Sequence, residues 1–111
     1  MGFIFSFGFS RESYVSLAFL LVVALQFSTV EAADFFIGKA LYESNCADCH
    51  GEDGQGVMGG TPDFTRGAGL FKSDQAIIKH IRVGSRRAPG FGHTLSEREM
   101  QDIVVYLRSL Y

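Results

Sequence analysis

Several features of common protein classes are missing from this sequence. It has only two cysteines among 111 residues, so a zinc site built from four thiolates is excluded. Its 10 basic and 12 acidic residues nearly balance, and no nucleic-acid-binding motif is present. It also lacks the alternating pattern of β-strands, a phosphate-binding loop and a serine–histidine–aspartate order. We therefore expect an all-α protein that has no nucleic-acid partner and is not an enzyme by itself.

The two cysteines form one short motif, Cys46-Ala47-Asp48-Cys49-His50. The pattern C-x-x-C-H is typical of c-type haem attachment. Two thiols at this spacing can each add to a vinyl group of one porphyrin, and the histidine after the second thiol can then bind the iron. The motif predicts one covalently attached haem c, with Cys46 and Cys49 as attachment points and His50 as an axial iron ligand.

Three other interpretations of the cysteine pair are weaker. A Cys2His2 zinc site would have to include His80 and His93, which lie further apart than the usual spacing of about three to five residues. A thioredoxin-like redox pair expects a preceding strand, whereas a short helix is predicted there. A structural disulfide is common in exported proteins, but it leaves the adjacent His50 unexplained.

An apolar run at residues 15–27 dominates the first third of the chain. It is shorter than the about 20 residues that span a bilayer, it follows Arg11, and the small residue Ala32 comes soon after it. We predict a cleaved secretory signal at residues 1–32 and a single domain at residues 33–111. The domain would then be periplasmic or otherwise exported and soluble; the alternative is an uncleaved membrane anchor.

Three helices are predicted between residues 33 and 111, each beginning at a side chain that can cap its N-terminus. The caps are Asp34, Ser73 and Ser96, and Ser96 forms a capping box with Glu99. The first helix runs to about residue 44, the second from 74 to about 83, and the third carries an apolar face over residues 103–110. Residues 51–69 and 85–95 are predicted to be irregular loops. Because this domain is short for a self-supporting core, we expect the haem to supply its interior.

Some single residues carry further expectations. The apolar side of the first helix is predicted from Phe35, Ala40 and Leu41, with Phe36 or Ile37 as a further member. Gly38 within this helix predicts close approach by another element. Pro62 lies in the glycine-rich loop after His50, and a carbonyl there can accept the second ring N–H of an iron-bound histidine. A simple turn proline is the other interpretation.

Residues 33–111 resemble the class I (monohaem) cytochrome c family over their whole length. The matching segments, in chain order, are Gly38 and Tyr42, the C-x-x-C-H motif, Thr61-Pro62-Asp63-Phe64, a middle helix ending at Gly84, Pro89-Gly90-Phe91-Gly92, Leu95-Ser96, and Tyr106-Leu107. The resemblance implies a small all-α fold of three main helices and two irregular loops around one covalent haem. It also implies that the terminal helices cross, that Cys46 and Cys49 carry the haem, that His50 binds iron, and that the Pro62 carbonyl receives its ring N–H.

The chain departs from the family at the sixth iron ligand. Family members usually place a methionine immediately before the proline of the second loop, and this chain has Ala88 there. Alanine has no donor atom, so the usual His/Met pair cannot form at that position. The candidates are His93, Met58, Met100, a ligand supplied by a partner, and an open or water-filled site.

The resemblance implies an exported electron-transfer protein that acts with redox protein partners. Basic residues outnumber acidic ones between residues 66 and 87, which predicts a docking face for an acidic partner. There are two alternatives. Ala88 favours a five-coordinate haem protein that binds a small gas such as CO or NO; the other is a haem subunit of a larger periplasmic oxidoreductase, in which a partner chain completes the site.

Overall fold

The computed structural model describes residues 32–111, together with Val15, Ala18 and Phe19. The predicted signal peptide therefore lies almost wholly outside the described residues and stays a prediction. Residues 32–111 form one compact unit. No helix among the described residues has both the length and the hydropathy needed to cross a bilayer.

Residues 32–111 contain four α-helices and no strand. They are α1 (Phe35–Asn45), α2 (Ala47–His50), α3 (Asp74–Val83) and α4 (Glu97–Arg108), with a 3₁₀ turn at Phe64–Arg66. The all-α class and the three main helices are thus confirmed. The sequence did not predict α2 or the 3₁₀ turn, which are too short to show a periodic pattern.

The predicted caps begin the three main helices. Asp34 accepts hydrogen bonds from the backbone N–H groups of Phe36 and Ile37, at 2.8 and 3.0 Å. At the start of α4, the Ser96 N–H donates to the Glu99 carboxylate at 2.7 Å, and the Ser96 hydroxyl accepts from the Glu99 N–H at 3.3 Å. These bonds satisfy amides that have no partner within the helix.

The terminal helices cross where α1 has its glycine. A Cβ built on Gly38 would overlap the backbone carbonyl of Asp102 in α4, so the close approach predicted from this glycine is confirmed. One turn further along, the rings of Tyr42 and Tyr106 lie 5.1 Å apart. The crossing therefore depends on the absence of a side chain at residue 38.

The buried side of α1 differs from the predicted one. Gly38 and Tyr42 are buried, whereas Phe35 and Ala40 are exposed and Leu41 is half-buried. Gly38, and not an apolar side chain, makes the closest approach to α4. The Phe35 ring still lies 5.6 Å from that of Tyr106 in α4, and Leu41 packs against the core. The remaining core residues are Phe64, Leu70, Ile77, Ile78, Leu95, Met100, Ile103, Val104, Tyr106 and Leu107.

Candidate haem site

A cavity of about 410 Å³ opens between the main helices and the two loops. Its size lies within the usual range for sites that bind organic ligands, about 300–1,000 Å³. Its apolar lining includes Ile77, Ile81, Phe91, Ile103 and Leu107. All three functional residues of the C-x-x-C-H motif, Cys46, Cys49 and His50, also line it. The structure thus brings the predicted attachment residues together at one largely apolar cavity.

Helix α2 sets the geometry of the two thiols. Cys46 is its N-cap, and the His50 N–H donates to the Cys46 carbonyl at 2.9 Å. Residues three apart on a helical turn share a side, which explains why Cys46 and Cys49 reach the same cavity. Both thiols are half-buried and free. Burial raises the pKa of Cys46 to about 11, whereas the thiols of redox pairs have lowered pKa values.

The glycine-rich loop folds back and binds the motif through its backbone. The Cys49 carbonyl accepts from the N–H groups of Val57 and Met58 at 3.2 and 3.1 Å, and from the Thr61 hydroxyl at 3.2 Å. The His50 carbonyl accepts from the Gly56 N–H at 2.7 Å. These bonds occupy carbonyls that α2 leaves unpaired and fix the motif against the loop.

Tyr42 holds the motif from the side of α1. It is fully buried, and its hydroxyl donates to the Gly51 carbonyl at 2.7 Å. Removing that hydroxyl leaves a buried carbonyl without its donor. We expect Tyr42→Phe to lower the free energy of unfolding of the haem-loaded protein by about 1–2 kcal/mol in a urea titration. The matched control is Tyr106→Phe, whose hydroxyl makes a longer 3.4 Å bond to Glu52; an equal loss in both variants would contradict the assigned role of Tyr42.

The His50 ring packs against Phe64, with ring centroids 4.6 Å apart and planes inclined by 14°. Burial lowers the pKa of His50, and a smaller contribution from His80 lowers it further, while the Pro62 backbone raises it. The neutral imidazole, which burial favours, is the form that binds metals. The 3₁₀ turn that carries Phe64 was missed in the sequence, although the Pro62-Asp63-Phe64 match had marked its start.

Two observations on this ring bear on whether the site fits a haem. Nδ1 of His50 is buried and is the one such side-chain atom in the described chain that has no hydrogen-bond partner. The Pro62 backbone acts on the ring as a hydrogen-bond acceptor and raises the His50 pKa, although its geometry falls short of a full hydrogen bond to Nδ1. If the Nδ1 proton goes to the Pro62 carbonyl, the other ring nitrogen, Nε2, is left to bind a metal. Such a ring beside two free thiols and an apolar cavity fits a covalent haem with an imidazole ligand. Acceptance of the ring N–H by Pro62 stays a prediction.

The structure places the sixth-ligand candidates at very different sites. Ala88 is half-buried and lines the cavity. Met100 is 2% exposed in the core, Met58 is 53% exposed, and His93 is exposed; none of the three lines the cavity. His80 stands beside Lys79 in the sequence, which predicts a surface position, and it is exposed. It is nevertheless also among the residues that line the cavity.

Comparison with known proteins gives the family. Residues 33–107 match the family described as cytochrome C oxidase, cbb3-type, subunit III. The chain is 30% identical to cytochrome c6 of Thermosynechococcus vestitus over 98 residues, which is 86% of each protein. It is 35% identical to the CcoP subunit of the cbb3-type cytochrome c oxidase of Rhodobacter capsulatus over 83 residues, covering 66% of this chain and 28% of the subunit. The CcoP subunit of Azospirillum brasilense is 28% identical over 80% of this chain and 32% of its own length, so this chain spans about a third of these subunits.

A solved structure supports the fold. Cytochrome c6 from the diatom Phaeodactylum tricornutum superposes with a TM-score of 0.58 at 23% identity, covering 71% of this chain and all of that one. The helical fold and the cavity together define a small c-type cytochrome, which carries covalently attached haem c. The chain belongs to the family of cbb3-type cytochrome c oxidase subunit III.

Proposed function

We propose that this chain is an exported electron carrier in which Cys46 and Cys49 attach the haem and His50 binds its iron. When bound, the haem supplies a reversible change between ferric and ferrous iron. The observation that carries the proposal is the His50 ring, which is stacked on Phe64, interacts with the Pro62 backbone and lines the same cavity as both thiols. The chain's own part is to hold the ligand in one orientation and to exclude water with apolar side chains.

Export is part of this proposal. Residues 1–32 would serve as the secretory signal and residues 33–111 as the cytochrome domain. The support lies in the sequence: an apolar run of limited length after a basic residue, followed by a small residue at the cleavage position. Attachment of haem outside the cytoplasm agrees with such a signal.

The charge around the cavity favours an acidic redox partner. Lys72 and Arg87 line the cavity and are exposed, and no carboxylate is among the lining residues. A separate depression elsewhere on the domain is lined by Glu43, Asp48 and Glu52. A basic surface beside the redox site would steer a partner of opposite charge, an effect that salt weakens.

Two other functions have an observation in their favour. Ala88 lines the cavity where family members usually have a methionine, and such a small side chain leaves room for a gas such as CO or NO at the iron. The likeness to CcoP proteins favours a haem subunit of a larger oxidase, in which a partner chain completes the site.

A redox titration with a CO test separates these functions. For the purified full chain we expect a fully reversible one-electron titration and a ferrous spectrum that CO leaves unchanged at once after mixing. An immediate and complete CO shift would favour the gas-binding function. Failure to cycle between oxidised and reduced forms would contradict electron transfer.

A further inference from the structure

The cavity offers a short list of side chains that could bind the iron besides His50. Outside the motif, the lining residues with a nitrogen or sulfur atom in the side chain are Asn45, Lys72, His80 and Arg87. Guanidinium, ammonium and amide nitrogens are hydrogen-bond donors without an available lone pair. A neutral imidazole has a free ring nitrogen and is the commonest metal ligand in proteins. His80 is therefore the lining residue with the most suitable donor.

Helix α3 presents His80 together with its apolar neighbours. Ala76, Ile77, His80 and Ile81 all line the cavity, and this spacing of one and four residues marks a single helix face. His80 is thus the polar member of this otherwise apolar face, and it is exposed at the edge of the cavity. His80 and His50 are close enough to interact electrostatically.

The second loop, residues 85–95, is hydrogen-bonded to the C-terminal end of α3, which is the end that carries His80. The Phe91 N–H donates to the Ile81 carbonyl at 2.9 Å, and the Ser85 N–H donates to the Ala88 carbonyl at 2.8 Å. Gly84, with φ of 73°, ends the helix where a Cβ would meet the Ala88 carbonyl at 2.5 Å. The loop therefore holds Ala88 near the last turn of α3, and the space left by its small side chain adjoins the helix that carries His80.

We propose that His80 would be the second protein ligand of the haem iron, in place of the methionine that the resemblance implies at the position of Ala88. The proposal rests on the proposed function, because it requires an attached haem with His50 as the first ligand. Two imidazoles lower the reduction potential relative to a histidine and methionine pair. The carrier would accordingly work at a lower potential than a family member with the usual methionine.

The test is the spectrum and spin state of three haem-loaded proteins: wild type, His80→Ala and His93→Ala. We expect wild type to be low-spin in the ferric state and closed to CO in the ferrous state. His80→Ala should become high-spin, bind CO immediately and return to low-spin when imidazole is added. His93→Ala is the matched control, because it removes an exposed histidine outside the cavity, and it should behave as wild type.

The outcomes separate this proposal from the function on which it rests. A His80→Ala protein with an unchanged low-spin spectrum, or a wild type that is already high-spin, would overturn the role of His80. A switch to high spin in His93→Ala would assign the ligand to His93 instead. A haemochrome spectrum of each protein in alkaline pyridine shows whether haem is attached at all; its absence from wild type would overturn the proposed function itself. Helical circular dichroism of the variants confirms that each is folded.

Discussion

The double variant Cys46→Ala/Cys49→Ala is expected to carry no covalent haem and to lose most of its helix at ordinary temperature. The cavity of about 410 Å³ would lose its occupant, and its apolar lining would be exposed to water. A small domain has a total stability of only about 5–15 kcal/mol, so we expect this exposure to unfold it. A domain of this size also buries a smaller fraction of its surface than a larger one does.

Circular dichroism during thermal unfolding measures this effect. Ser44→Ala is the control, because Ser44 is an exposed residue just before the motif and does not line the cavity. We expect the control to melt cooperatively like wild type and the double variant to show no cooperative transition. Native-like helix content with a cooperative melt in the double variant would contradict the account.

Gly38→Ala is expected to lower the free energy of unfolding of the haem-loaded protein by at least about 3 kcal/mol, a large value for overpacking. A Cβ at this position would overlap the Asp102 carbonyl, which is rigid helix backbone. Helices α1 and α4 would have to move apart, and the packing of Tyr42 on Tyr106 would loosen. In an exposed helix the same change would raise the free energy of unfolding by about 1 kcal/mol. A decrease for Gly38→Ala would therefore indicate overlap with α4.

Chemical denaturation of the loaded protein measures this loss. Gly59→Ala is the matched control, because a Cβ there meets nothing within 4 Å. It should change the free energy of unfolding by no more than about 0.5 kcal/mol. Equal effects in the two variants would show that the crossing does not depend on the missing side chain.

The features that the sequence predicted depend on local chemistry. A cap needs only a side chain and the amides two or three residues later, so Asp34 and Ser96 could be read directly. Similarly, the spacing of Cys46 and Cys49 alone predicts that both thiols lie within one helical turn. Gly38 revealed the helix crossing because a glycine within a helix is unfavourable unless another element comes close.

The features that it did not predict depend on tertiary contacts. Phe35 and Ala40 look apolar in sequence, but the orientation of α1 is decided by the close approach at Gly38. His80 is predicted to be a surface residue and is exposed, but the sequence did not predict that it also borders the cavity. That follows from the return of the second loop onto α3, through the Phe91 to Ile81 hydrogen bond. Such placement is set by residues distant in the chain and leaves no periodic pattern.

The intact mass of the purified chain under denaturing conditions tests most directly whether the porphyrin is bonded to the two thiols. We predict that the wild-type chain retains the mass of one haem after denaturation, while Cys46→Ala/Cys49→Ala has the mass of its polypeptide alone. A wild-type chain without added mass, or a double variant that keeps the haem, would contradict the account.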